Sequence, residues 1–280
     1  MKGPGGVNIF DNLVNIERLR ELASRGTGRG VRVAILDTGV DDKHPDLAGA
    51  VKESYAIVRR GPGYKCVPVT DGDPVGHGTA CAGIIHSIAP EAELYSVRVM
   101  GHDASGTLEQ LTQGIRWALE QKYDVVNLSL GTLQKRNLIV MHELIEKAYV
   151  QGQIVVAAAN NQRRVSYPAQ FATVVSVDNE AFEDRSKFFF NLGSPIEIVA
   201  HGIYVEAPAP GGGYRLYTGT SFACPHISGI AACLRSEFPE LTAFQLKSLL
   251  WCLRHSDVEQ EESADDRSSV ASAKTQDRIA

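Results

Sequence analysis

Gly219-Thr220-Ser221-Phe222-Ala223-Cys224-Pro225-His226-Ile227-Ser228-Gly229 is the stretch on which the reading of this chain turns. A glycine-bearing turn runs into residues 227–234, small and apolar enough to be a buried helix, so Ser221 falls at or near that helix's first turn. Backbone N–H groups point outward there, and the helix dipole favours negative charge. Pro225 fits a helix start, because a residue without an N–H is tolerated where that N–H would have no helical partner. Alone, such a serine reads first as a helix cap, and its meaning depends on what accompanies it.

Two earlier segments accompany it. In Val31-Arg32-Val33-Ala34-Ile35-Leu36-Asp37-Thr38-Gly39-Val40 an apolar strand runs into an aspartate and a glycine turn. Asp37 is thereby placed at a strand's carboxyl end, where open α/β sheets build their sites. In Gly76-His77-Gly78-Thr79-Ala80-Cys81-Ala82-Gly83-Ile84-Ile85 a histidine between two glycines opens another small-residue helix. Taken singly, Asp37 reads as a turn or helix cap and His77 as a capping or core histidine. Taken jointly, the three segments are hard to explain so blandly.

Asp37-Thr38-Gly39, His77-Gly78-Thr79 and Gly219-Thr220-Ser221 resemble the three catalytic signatures of the subtilisin-like serine proteases, the subtilases, in that family's chain order. The resemblance runs from about residue 28 to residue 253. It implies an α/β fold of three layers, with a mostly parallel central sheet and helices on both faces. It also implies a serine endopeptidase that works through an acyl-enzyme intermediate. Ser221 would be the nucleophile, His77 the proton carrier and Asp37 the residue that fixes the imidazole's tautomer.

The same resemblance supplies the remaining site residues. The strand 154–159 leads into Asn160-Asn161, where subtilases keep the side-chain amide of the oxyanion hole, and counting back to the alanines assigns that role to Asn161. A pair of ordinary turn asparagines, or the neighbouring Asn160 as donor, are the alternatives. Ser129, Leu130 and Gly131 resemble the edge along which an extended substrate adds itself by main-chain hydrogen bonds. Ala158 and Ser166 join them as expected substrate-binding residues, and Tyr167-Pro168 resembles a dipeptide that is usually cis. Gln162, Arg163 and Arg164 could lend the pocket for the residue before the cut a positive potential, with solvated loop arginines as the alternative.

Several departures from the family narrow the expectation. Asp46 matches a calcium ligand of many subtilases, but residues 83–90 pass directly to the next strand without the ligand-bearing loop. Calcium needs about six to eight oxygens, so this site is expected to be absent and Asp46 to serve a turn or cap; no cofactor or metal is expected. Ala80 stands where a histidine usually follows the catalytic one. Cys81 resembles the free cysteine that one branch carries beneath the histidine, which predicts sensitivity to mercurials, and Cys224 takes a small-residue position. Both read as small buried hydrophobes rather than nucleophiles.

The 280 residues, 44% hydrophobic and 22% charged, suffice for one large α/β domain. A formal net charge of −5 offers no basic surface for nucleic acid, and no apolar run approaches the roughly 18 residues of a membrane span. The expected organisation is an N-terminal extension with a short helix over 1–27, a peptidase domain over 28–255 and an acidic, disordered tail over 256–280. That tail holds seven acids against three bases. The opening residues lack the apolar core of a signal peptide, and five cysteines, an odd number, argue for reduced thiols. A cytoplasmic processing protease with a narrow peptide or protein substrate is the expectation, the alternative being a targeting segment outside this sequence. An inhibitory pro-segment, common in the family, is not visible in these residues; such a segment or a flanking domain outside the chain stands as a candidate partner. The competing class of function is an inactive subtilase fold kept as a peptide-binding or regulatory module.

Patterning fills in the rest of the chain. Helices are expected over 15–24, 108–121, 136–151 and from 242 with Thr242 as N-cap, and strands over 93–100, 124–131, 154–159, 173–177 and 196–200. Residues 55–72 read as a surface excursion or hairpin, Phe188-Phe189-Phe190 as core or pocket wall, and 208–213 as a flexible approach to Ser221.

Overall fold

The computed structural model describes residue 21 and residues 23–253, apart from 137, 183–186 and 192. The acidic tail lies outside the described residues, as does most of the helix expected over 15–24; residues 21 and 23–25 are helical.

Strand β1 (Arg32–Asp37) shows why the chain folds in layers. Val33 and Ile35 enter one hydrophobic core, and Ala34 and Leu36 enter another on the opposite face. Successive side chains of a strand point to opposite faces, so a strand apolar at every position must be covered on both. Strand β5 (Val125–Leu128) repeats the pattern, with Val125 in the first core and Val126 and Leu128 in the second. Strand β6 (Ile154–Ala158) divides likewise.

The other strands are β2 (Val51–Arg60), β3 (Gly63–Pro68), β4 (Glu93–Arg98), β7 (Val175–Glu180), β8 (Phe188–Phe190) and β9 (Ile198–His201). Nine strands pair in the order β3-β2-β4-β1-β5-β6-β7-β9-β8. Seven run parallel from β2 to β9, and only the edge strands β3 and β8 are antiparallel. Helices α1 (His77–Ile88) and α4 (Thr220–Glu237) cover the first face together with the closing helix α5, residues 243–253. Helices α2 (Leu108–Glu120) and α3 (Leu138–Val150) cover the second. Thr242 caps α5 reciprocally with Gln245: each side chain accepts from the other's backbone N–H. None of the described helices is long and apolar enough to cross a membrane.

Of three loop and edge expectations, the one for residues 208–213 needs correction. Residues 55–72 take the hairpin form of the two expected: β2 and β3 pair antiparallel, and the first strand also joins the main sheet beside β4. Residues 208–213 belong to a second regular hairpin, β10 (Val205–Ala209) with β11 (Gly213–Tyr217). Its proline and glycines mask the pattern because the hairpin's turn consumes them. Phe188-Phe189-Phe190 is core and pocket wall, as expected: on this edge strand Phe188 and Phe190 pack against the first core, and the half-exposed Phe189 lines a cavity.

Candidate active site

After β1 the chain winds to β2 and β4 on one side, then crosses to β5 on the other. The carboxyl ends of β1 and β5 therefore flank the switch point where open α/β sheets place ligands. Asp37 is the last residue of β1, and Ser129 follows β5 directly.

Asp37 is fully buried, and its Oδ1 accepts from the Nδ1–H of His77 at 2.7 Å and from the backbone N–H of Thr38 at 2.7 Å. Its Oδ2 is buried with no hydrogen-bond partner. His77 is the first residue of α1, entered through Gly76 at φ +96°. The first turn of that helix presses on the end of β1. A Cβ on Gly78 would lie 2.0 Å from the carbonyl oxygen of Gly39 and 3.0 Å from Asp37 Cβ, so only glycine permits the approach. Burial works against the charged imidazole, but the adjoining Asp37 carboxylate more than offsets it and raises the His77 pKa. A carboxylate on the Nδ1 side leaves Nε2 free to take a proton.

Asp73, which drew no attention in the sequence, lies four residues before His77 and is 7% exposed. Its carboxylate accepts from the Thr38 and Thr79 hydroxyls and from the backbone N–H groups of Val75, Gly76 and Thr79, at 2.7 to 3.0 Å. No basic residue among those described pairs with it.

Ser221 is the second residue of α4, reached through Gly219 at φ +146°. Its hydroxyl donates to the carbonyl oxygen of Ser129 at 2.8 Å. Pro225 is not at the helix start, as expected, but inside the helix. The N–H it lacks would have met the carbonyl of Ser221. That oxygen accepts instead from the thiol of Cys81 at 3.5 Å, and the same sulfur lies 4.0 Å from His77 Nδ1. The histidine and the serine thus flank one buried thiol, and the His77 ring stacks on Phe222, next to Ser221, with centroids 5.0 Å apart. Burial pushes the pKa values of Cys81 and Cys224 up, so both stay protonated. Beneath the helix, buried Asn127 accepts from Cys224 and Ser228 and donates to Ser129, a polar anchor that apolar patterning conceals.

The two asparagines separate cleanly. Asn161 Oδ1 accepts from the backbone N–H of Thr220 at 2.9 Å, which places this amide against the residue before Ser221. Asn160 Oδ1 accepts from the Gln162 N–H and shapes a turn. The segment after β5 is tied down where Thr132 pairs with Tyr167, and Gly131 packs beside the buried Ser166. Leu130 and Gly131 line a 150 Å³ cavity closed by Met100 and Leu111. Ala158, 4% exposed, ends β6 opposite Val177 in the α1–α4 core, three residues before Asn161. Tyr167-Pro168 is cis. Arg163 and Arg164 line a separate cavity of 720 Å³ together with Asp178 and Glu180; Ser166 is not in its lining.

Among the described residues, Asp37, His77 and Cys81 are the one group with the spacing of metal ligands. Asp46 is a turn residue, as expected: it sits in the single 3-10 turn Pro45–Leu47, whose cap is the neighbouring His44, and both its carboxylate oxygens lie 2.8 Å from the hydroxyl of Tyr214 on β11.

A family profile described as "Subtilase family" matches residues 28–263. Subtilisin NAT of Bacillus subtilis subsp. natto is 34% identical over 248 residues, 82% of this chain and 62% of that protein. The chain therefore spans about three fifths of that relative's length. Subtilisin DY of Bacillus licheniformis is 33% identical over 238 residues, 80% of this chain and 83% of its own. A solved structure, that of a cold adapted subtilisin-like serine proteinase, superposes with a TM-score of 0.68 at 29% identity, covering 80% of this chain and 82% of its own.

Proposed function

The chain belongs to the subtilase family, and from that premise we propose that it is a serine endopeptidase in which Ser221, His77 and Asp37 carry out acyl transfer. The observation that carries the reading is the 2.7 Å bond from His77 Nδ1 to a fully buried Asp37 carboxylate, with Ser221 across a single thiol. Ser221 Oγ attacks the peptide carbonyl while His77 takes its proton and later returns it to the leaving amine. Asp37 fixes the tautomer and stabilises the imidazolium.

The oxygen of the tetrahedral intermediate needs neutral donors in place beforehand. The Nδ2 of Asn161 is one, since its Oδ1 is committed to Thr220. The N–H of Ser221 is the other, because a first-turn amide has no helical acceptor. Substrate lies extended along 129–131, whose Leu130 cavity accepts an apolar side chain. The hydroxyl of Ser221 must leave the Ser129 carbonyl for the imidazole, by rotation about χ1 to another staggered well. A substrate N–H that bonds to Ser129 displaces it.

No metal enters this scheme. The five unpaired cysteines favour a compartment that keeps thiols reduced, in line with a cytoplasmic processing role on selected peptides.

A fluorophosphonate probe tests the reading directly. The protein should label, and Ser221→Ala should not; an unlabelled protein with intact fold would leave a peptide-binding module as the better account. Mass spectrometry of the products from a peptide library would then define the substrate.

A further inference from the structure

Resting on the triad reading above, we infer that Asp73 is a positioning residue for His77: a second buried carboxylate that clamps the end of β1 to the first turn of α1. Its two oxygens divide the work. Oδ1 accepts from the Thr38 hydroxyl, next to Asp37, and from the N–H groups of Val75 and Gly76, which lead into His77. Oδ2 accepts from both the N–H and the hydroxyl of Thr79, two residues beyond His77.

The clamp closes through Thr38, whose hydroxyl donates to Asp73 and accepts from the N–H of Gly78 at 3.1 Å. His77 is thus bracketed by anchored residues on both sides, while the residue after Asp37 is held by the same carboxylate. The relation between Asp37 and His77 has no other hydrogen-bonded support of this extent among the described residues. Five donors satisfy a 7% exposed anion that no described cation neutralises. Such a group is costly to bury unless fully hydrogen-bonded. Its position at the start of α1 gains from the helix dipole.

Glycines make the clamp necessary. Gly76 at φ +96° and Gly78 pack closely on their neighbours but have no side chains of their own, so the approach of α1 to β1 is made there by backbone alone. The Asp73 bonds supply the restraint that side chains elsewhere would give. Asp73 is hydrogen-bonded to the residues that flank Asp37 and His77 and not to Ser221, so it acts through His77.

The experiment compares Asp73→Ala and Asp73→Asn with the unsubstituted enzyme, with kcat expressed per site titrated by a fluorophosphonate so that only folded, competent molecules count. Misplacement of a catalytic group by about 1 Å costs on the order of 10² in rate. Asp73→Ala, which loses all five acceptor contacts, should lower kcat by about that factor. Its KM should stay within about twofold, because substrate contacts are untouched. Asp73→Asn keeps one acceptor oxygen for Thr38, Val75 and Gly76 but sets an NH₂ against the Thr79 N–H, and should show a smaller but definite loss of kcat, about three- to tenfold.

An unchanged kcat per titrated site in either variant would overturn the inference, and so would a loss seen only as a raised KM. Should the alanine variant fail to accumulate, the asparagine variant decides alone: a reduced kcat at constant KM supports the clamp, and a parental kcat removes it. Failure of the unsubstituted protein to label would instead overturn the triad reading, a result that no Asp73 variant can mimic.

Discussion

The thiol of Cys81 donates to the main-chain oxygen of Ser221, the one carbonyl of α4 that Pro225 deprives of its helical N–H. A side chain on α1 thereby supplies the donor that α4 lacks and links the two helices beside His77 and Ser221. Cys81→Ala should leave that carbonyl unsatisfied and cost about 1–3 kcal/mol of stability, read as a lowered midpoint in urea. Cys81→Ser restores a donor and should recover part of the loss. Because the sulfur also lies 4.0 Å from His77 Nδ1, a mercurial should abolish hydrolysis in the parent and leave Cys81→Ala untouched. Full activity after saturating treatment would show that the thiol is not beneath the imidazole.

The pair Asn160-Asn161 gives a second test, since the two amides have different partners. Asn161 stands against Thr220, and Asn160 folds onto Gln162. Asn161→Ala should reduce kcat on the order of 10²–10³ with KM little changed, the magnitude established for deleting the equivalent donor in a subtilisin. Asn160→Ala should leave kcat near the parental value and cost about 1 kcal/mol of stability through the lost turn bond. The reverse ranking would move the oxyanion donor one residue back.

Much of this was legible in the sequence, for reasons that differ by residue. Asp37, His77 and Ser221 each begin or end an apolar element at a glycine, and the parallel sheet follows from strands such as β1 that are apolar on both faces. Asp73 was not legible, because a lone aspartate in a Gly-Asp-Pro turn has no period and its five donors come together only in the fold. Asn127 was hidden inside an apolar strand for a similar reason. Pro225 misled because rules for isolated helices place proline at the start, whereas here a thiol from another helix substitutes for the missing donor. The β10–β11 hairpin was missed because Pro208, Pro210 and three consecutive glycines read as disorder until their pairing is seen.

Proton linkage separates activity from stability. The His77 pKa is raised in the folded protein by Asp37, against the effect of burial. The ion pair therefore contributes stability fully below the ordinary histidine value of about 6.5, and that contribution is lost as pH rises through the higher folded value. Activity runs the other way, because the base must be neutral to accept a proton. kcat/KM should rise along an acid limb centred above about pH 6.5, over a range in which thermal stability no longer gains from the pair. Asp37→Asn should bring that limb down and reduce kcat by about 10⁴-fold, as expected when the tautomer is lost. A limb at the ordinary histidine value in the parent would mean that the carboxylate does not act on the ring.

Tyr217 offers the last test. Its hydroxyl is buried and has no hydrogen-bond partner, while its ring stacks on Phe222 at 4.7 Å, and Phe222 in turn stacks on His77 at 5.0 Å. An unsatisfied buried hydroxyl costs about 1–3 kcal/mol, whereas the ring contributes apolar burial and aromatic contact. Tyr217→Phe removes the costly group and keeps the stack, so it should raise the melting temperature by about 2–4 °C per kcal/mol gained and leave kcat unchanged. Tyr217→Ala removes both, and should lower stability and loosen Phe222 against the imidazole. A fall in melting temperature for the phenylalanine variant would show that the hydroxyl is bonded in solution, and a rise in KM alone would assign that bond to the substrate.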